Sequence, residues 1–213
     1  MRYKSVLASF ANQPLPHQLL TSILRDYERP NDKIHLLTKE GVLQPVKKGL
    51  YVVGPALNTG RKPEPFLLAN HILGPSYVSV ETALSYHGLI PERVHEIASM
   101  TTKAPRKFKT LQGSFTYTKL SLPYYAFGIL SEKLANDQYA MIASAEKALC
   151  DKVITTSGLL FRSKKSAREF LLENMRIEEG MLKELNVREM LTWITGSQKE
   201  ESVLMMINAI SEL

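Results

Sequence analysis

Asn31 to Val53 reads NDKIHLLTKEGVLQPVKKGLYVV, and this stretch decides how the chain folds. Ile34 and Leu37 are one helical step apart and can face a core together. Gly41 follows the last helical residue, where a left-handed cap is wanted. Val42 to Val46 and Leu50 to Val53 are β-prone, and Lys47-Lys48-Gly49 between them reads as a tight hairpin turn. A helix, a glycine stop and a basic hairpin form the closing half of a winged helix-turn-helix, in which a helix enters a DNA groove and the hairpin grips the backbone. Gly49 is expected at positive φ, which a tight hairpin needs.

The preceding residues supply the rest of such a unit. Leu15, Leu19, Leu20, Ile23, Leu24 and Tyr27 fall on one helical stripe, with Pro14 and Pro16 marking its start. Arg29-Pro30-Asn31-Asp32 offers a turn and a choice of N-cap for the next helix. Val6, Leu7 and Phe10 suggest a shorter helix in front. With Ile34 and Leu37 inward, the groove-facing candidates are Asn31, Lys33, His35, Thr38 and Lys39, joined by Lys47 and Lys48 of the hairpin.

Charge divides the chain in the same way. Residues 1–62 carry a net +6, residues 63–120 a net +2 and residues 121–213 a net −2. The surplus is concentrated where a phosphate backbone would need it. Its bland alternative, lysines that only keep a domain soluble, does not account for the coinciding helix–glycine–hairpin pattern. Residues 54–65, GPALNTGRKPEP, are rich in Gly and Pro and read as a domain boundary. Arg61 and Lys62 within it either trail along the DNA backbone or are solvated linker charges.

At 213 residues with 44% hydrophobic content, two compact domains are expected. The first is a winged helix-turn-helix over residues 1–62. The second, over residues 63–213, is a mixed α/β domain with a helical C-terminal part, giving an α+β chain overall. In it, helices are expected from Phe66 to Leu73, from a Ser79 cap to Tyr86, and from a Ser144 cap through AEKALCDKVIT. Strands are expected at Val94 to Thr101, around Phe115 and Tyr117, at Tyr124 to Leu130 and at Tyr139 to Ala143. Lys103 to Lys109 reads as a basic loop. Its Lys103, Arg106, Lys107 and Lys109, with Phe108 interleaved, form a possible second basic surface for nucleic acid or an acidic partner, or else a solvated loop.

No apolar run approaches the ~18–20 residues of a membrane span. No secretory signal is read at MRYKSVLASF. A single cysteine fits a reducing cytoplasm, the expected location.

Catalytic signals are sparse. His17, His35, His71, His87 and His95 show no metal-ligand spacing. Cys150 lacks a Cys–His signature and is expected to be a buried structural thiol. Glu146, Asp151 and Lys152 suggest a nuclease-like cluster only superficially, because Glu146 and Asp151 share a helix face poorly. No metal, cofactor or enzymatic activity is expected. The rival readings are a nucleic-acid-processing enzyme that uses the winged helix to deliver substrate, and a ligand-sensing regulator with a closed apolar pocket within residues 66–156.

Four segments together resemble a known family. LLTKEGVLQPVKKGLYVV (36–53), YVSVETALSYHGLIPE (77–92), EIASMTTKAPRKFKTLQGSFTYTKL (96–120) and IASAEKALCDKV (142–153) look like the AbiEi-like antitoxins of bacterial phage-defence loci. The resemblance covers roughly residues 28–156 and reaches no motif in residues 157–213. It implies an N-terminal winged helix that represses its own operon by binding inverted repeats in the promoter. It also implies an antitoxic second domain, and a nucleotidyltransferase-like toxin as functional partner. In such type IV systems the antitoxin acts without a stable toxin complex.

Overall fold

The structure, a computed structural model, describes residues 2–57, 59–92 and 94–213; Met1, Asn58 of the expected linker and Arg93 lie outside the described residues. The chain is α+β with two sheets. Its first part comprises α1 (Arg2–Ser9), β1 (Leu15–Pro16), α2 (His17–Ile23), α3 (Pro30–Lys39), β2 (Leu43–Lys47) and β3 (Leu50–Val53). The strands form an antiparallel sheet in the order β1-β3-β2.

Two local expectations need correction. Leu15 does not begin a helix: Leu15 and Pro16 pair with Tyr51 and Leu50. Pro16 is extended (φ −61°, ψ 148°), so α2 starts only at His17, and it stops well short of Tyr27. Nor does Asn31 or Asp32 cap the next helix. Pro30 opens α3, its fixed φ suiting the first turn, and Arg29 holds the cap position without a side-chain bond.

Strand β3 has two apolar faces. Tyr51 and Val53 pack with Leu7, Leu15, Leu20, Leu24, Ile34, Leu37 and Leu43 in the core of the N-terminal helices. Leu50 and Val52, pointing the other way by the two-residue period of a strand, join Val46 in the core of the second part. Val46, two residues beyond Gln44 and so on the face of Val52, reaches that second core by the same alternation, just before the register shifts between Pro45 and Lys47. The hairpin is therefore shared between the two cores.

The second part begins with α4 (Pro65–Ile72), β4 (Ser76–Val78), α5 (Val80–Tyr86), β5 (Glu96–Thr101), β6 (Arg106–Thr110) and β7 (Gly113–Lys119). It continues with β8 (Ile129–Lys133), β9 (Tyr139–Ala143), α6 (Ala145–Thr155) and α7 (Lys164–Glu169), which runs into a wider turn, Phe170–Asn174. Helices α8 (Glu179–Lys183), α9 (Val187–Trp193) and α10 (Glu200–Ser211) close the chain. The strands form one mixed sheet in the order β6-β7-β5-β4-β9-β8. Strands β4 and β9 pair at Val78 and Ile142, and the Asn70 side chain bridges beside that point: it accepts from Met141 N (2.7 Å) and donates to the Ser76 and Met141 carbonyls.

Here too the sequence reading needs correction. The basic segment from Arg106 is a strand, antiparallel to β7, because Phe108 packs edge-on against Tyr117 (5.8 Å, 88°). Tyr124 to Ala126 is a 3-10 turn, and β8 starts at Ile129, after Gly128 at φ +59° breaks the extended run. The segment between the two parts is fastened down. The Gln138 side chain, 4% exposed, accepts from Glu64 N (2.7 Å) and donates to Lys62 O (3.2 Å).

Glycine is required where the hairpin returns to the helix end. A Cβ on Gly54 would lie 2.2 Å from Gly41 O, while Gly54 N donates to Val42 O (2.8 Å). Gly54→Ala is expected to lower stability by about 1–3 kcal/mol through this clash. Gly180→Ala, where a Cβ meets nothing within 4 Å, should be neutral or slightly stabilising. Urea denaturation of both variants checks the contrast; equal midpoints would contradict it.

Candidate nucleic-acid interface

Helix α3 buries Ile34 and Leu37, and its period turns Asp32, His35, Leu36 and Lys39 to solvent. Asn31 is exposed at its first turn. Lys33 and Thr38 occupy the flanks and are half-buried. Thr38 Oγ1 donates back to Ile34 O (2.9 Å). The Lys33 ammonium lies over the rings of Tyr3 (5.1 Å) and Tyr27 (5.3 Å), which meet edge to face. The outward cation of the helix is therefore Lys39, with Lys33 occupied by aromatic rings. Leu36, 45% exposed in the middle of this face, was not among the sequence candidates. Its apolar side chain suggests core; the 3.6-residue period, followed strictly from Ile34 and Leu37, places it outside.

The helix ends in a Schellman motif. Gly41 has φ +70°, Val42 N donates to Leu37 O (2.9 Å) and Gly41 N to Thr38 O (3.1 Å). The carbonyls that α3 would leave open are thus satisfied, and the chain turns directly into the hairpin. At its tip Lys47 is half-exposed and Lys48 exposed, and Gly49 has φ +81°. His17 N donates to Gly49 O (2.9 Å), tying the start of α2 to the tip. Arg61 and Lys62 are exposed on the connecting segment. Arg106, Lys107 and Lys109 are exposed on β6, at one edge of the larger sheet, and the Lys103 ammonium donates to Gly74 O.

The other chemically suggestive residues form a buried network. Asp151 is fully buried. Its Oδ1 accepts from Lys147 Nζ (2.9 Å) and Tyr124 Oη (2.8 Å), and its Oδ2 from Tyr77 Oη (2.9 Å) and Ser79 Oγ (2.7 Å). Lys147, equally buried, also donates to Tyr124 O (3.0 Å). Burial pulls the Lys147 ammonium below its ordinary pKa, opposed by the Asp151 carboxylate, and pushes the Tyr77 and Tyr124 hydroxyls up. Ser79 precedes α5 as expected but gives its hydroxyl to Asp151 rather than to the helix. The next residue, Val80, is held at φ +44°, a strained conformation for a β-branched side chain.

Cys150 is buried beside this network, and burial raises its thiol pKa, so it is a poor nucleophile. Glu146 turns away and accepts from Asn186 N (3.0 Å). His87 Nε2 contacts Ala143 O (2.8 Å), and burial lowers the pKa of His71. Among the described residues no three His, Cys, Asp or Glu side chains are grouped to hold a metal ion, and no helix is long and apolar enough to cross a membrane.

Comparison with known proteins places the fold. No family model and no curated protein matches the chain. A solved structure does: the crystal structure of the RV2827C protein from Mycobacterium tuberculosis, at 13% identity and a TM-score of 0.60. The match covers 99% of this chain and 78% of that one. At that identity the likeness is one of fold.

The buried network gives a prediction of its own. Lys147→Met leaves the Asp151 carboxylate buried without its counter-charge, and is expected to cost about 3–5 kcal/mol of unfolding free energy. Guanidinium denaturation measures it. A loss under about 1 kcal/mol would mean that the pair does not hold α6 against β4 and the Tyr124 turn.

Proposed function

We propose that residues 2–57 form a winged helix-turn-helix that binds duplex DNA, with α2 and α3 as the helix pair and the β2–β3 hairpin as the wing. One observation carries this reading. The outer face of α3 is uncovered, and the chain leaves it through a glycine stop into a hairpin whose tip carries Lys47 and Lys48. His35, Leu36 and Lys39 are the base-facing set. A leucine there suits the methyl group of thymine, and a lysine suits guanine or phosphate. Lys47 and Lys48 position the domain on phosphates. Lys33 supports the helix from its flank, and Arg61 and Lys62 extend the basic surface.

The larger proposal is that the protein is a cytoplasmic autorepressor and the antitoxin of a type IV toxin–antitoxin system. It would bind inverted repeats in its own promoter, in a dimeric arrangement, and counteract a nucleotidyltransferase-like toxin without a stable complex. The support is the resemblance of residues 28–156 to AbiEi-like antitoxins, together with the segregation of positive charge into residues 1–62.

Gel shifts with promoter DNA test the DNA-binding part. The Lys47→Glu/Lys48→Glu variant should bind all duplexes more weakly, with a log–log salt slope reduced by about 0.9 per lost phosphate contact. Lys39→Ala should weaken binding more than Lys33→Ala, because only Lys39 points outward. Wild-type binding by the hairpin variant would remove the wing assignment. Co-expression of the full chain with the neighbouring toxin gene, scored by growth, tests the antitoxin part; growth arrest despite expression of both would refute it.

A further inference from the structure

The larger sheet has an edge that the DNA-binding reading does not use. Strand β6 is its terminal strand, paired on one side with β7 from Arg106↔Tyr117 to Thr110↔Gly113. Leu111 and Gln112 form the two-residue turn between them. A hairpin closed in that way exchanges backbone bonds at the closing pair and at every second pair beyond it. Thr110, Phe108 and Arg106 are thus bonded to β7, and Lys107 and Lys109 direct their N–H and C=O groups away from the sheet.

Those two residues share the charge of the edge with Arg106. Arg106, Lys107 and Lys109 are exposed, and among the described residues none of them pairs with a carboxylate. Phe108 between them is half-buried against Tyr117, whose hydroxyl donates to Ala69 O (2.6 Å), so the edge is anchored to the body of the sheet. Leu111 at the turn is 79% exposed. Lysines on an edge commonly serve only to block self-pairing. That role explains the charge but not an exposed leucine beside it.

We propose that β6 is a docking edge for an extended, acidic segment of a partner protein, which adds to the sheet as a further strand. The backbone of Lys107 and Lys109 supplies the pairing bonds. Their side chains, together on one face, select carboxylates at alternate positions of the incoming strand, and on the other face Phe108 takes an apolar residue. A second copy of this chain is disfavoured on the same edge, because β6 against β6 sets cations opposite cations. The inference stands on the sheet edge alone and does not depend on DNA binding by residues 2–57.

The test uses the full chain and a synthetic peptide alternating glutamate with valine, with its lysine–valine counterpart and a mixed-sequence DNA duplex as comparisons. Binding is followed by titration and by amide exchange. The acidic peptide should bind and slow exchange at Lys107 and Lys109, and the basic peptide should not. Lys107→Ala should weaken binding by about threefold, the scale of one exposed ion pair. Lys107→Pro removes the same charge and also the outward N–H, at an edge position where proline is tolerated, and should weaken binding more than tenfold. Lys107→Glu/Lys109→Glu should reverse the preference toward the basic peptide, a readout that needs no proline. Equal binding by the alanine and proline variants, or an unchanged preference in the charge-reversed one, would overturn strand addition. Binding of the duplex but not the acidic peptide, lost in the charge-reversed variant, would overturn it in favour of a nucleic-acid surface.

Discussion

Strand β3 belongs to two cores at once, and the arrangement of the chain depends on that. Tyr51 and Val53 close the N-terminal helices, while Leu50 and Val52, with Val46 from β2, are buried against the second part. Burial of a Val or Leu side chain contributes roughly 1.5–3 kcal/mol, so these residues are a substantial tie between the parts. The Gly41–Gly54 approach fixes where the hairpin leaves and rejoins the helix end, and the His17–Gly49 bond fixes its tip. A hairpin held on both faces presents Lys47 and Lys48 from a rigid base. In the proposed winged helix, that rigidity would let hairpin contacts set the register of α3 on DNA.

The same coupling bears on domain organisation. Composition marks residues 54–65 as a boundary, and the two hydrophobic clusters do fall largely on either side of it. Yet the connecting segment is bonded to Gln138, and the back of the hairpin is buried beyond the boundary. A fragment ending near Lys62 would expose Val46, Leu50 and Val52, so weak DNA binding by it would reflect lost packing as well as lost contacts.

Much of this was legible in the sequence because it rests on local rules. The Ile34–Leu37 period, the glycine at 41, the positive φ at Gly49 and the Ser144 cap on α6, which accepts from Lys147 N (3.2 Å), follow from short-range sterics and hydrogen bonding. What stayed hidden depends on distant partners. Leu15 and Pro16 become a strand only because Tyr51 and Leu50 lie beside them. The segment from Arg106 becomes a strand because β7 pairs with it. Lys33 leaves the outward set because Tyr3 and Tyr27, far apart in sequence, meet over it. The Lys147–Asp151 pair could have been read from its i,i+4 spacing, but its burial with Tyr77, Ser79 and Tyr124 could not. That network satisfies both carboxylate oxygens of Asp151 within the core.

The central claim, that α3 and the hairpin tip grip duplex DNA, is tested most directly by mapping lysine reactivity in the full chain. Acetylation is read by mass spectrometry with and without the promoter duplex. Lys39, Lys47 and Lys48 should become protected on the DNA, while Lys107 and Lys109 keep their reactivity. Protection of Lys107 and Lys109 with Lys39, Lys47 and Lys48 still fully reactive would contradict the account.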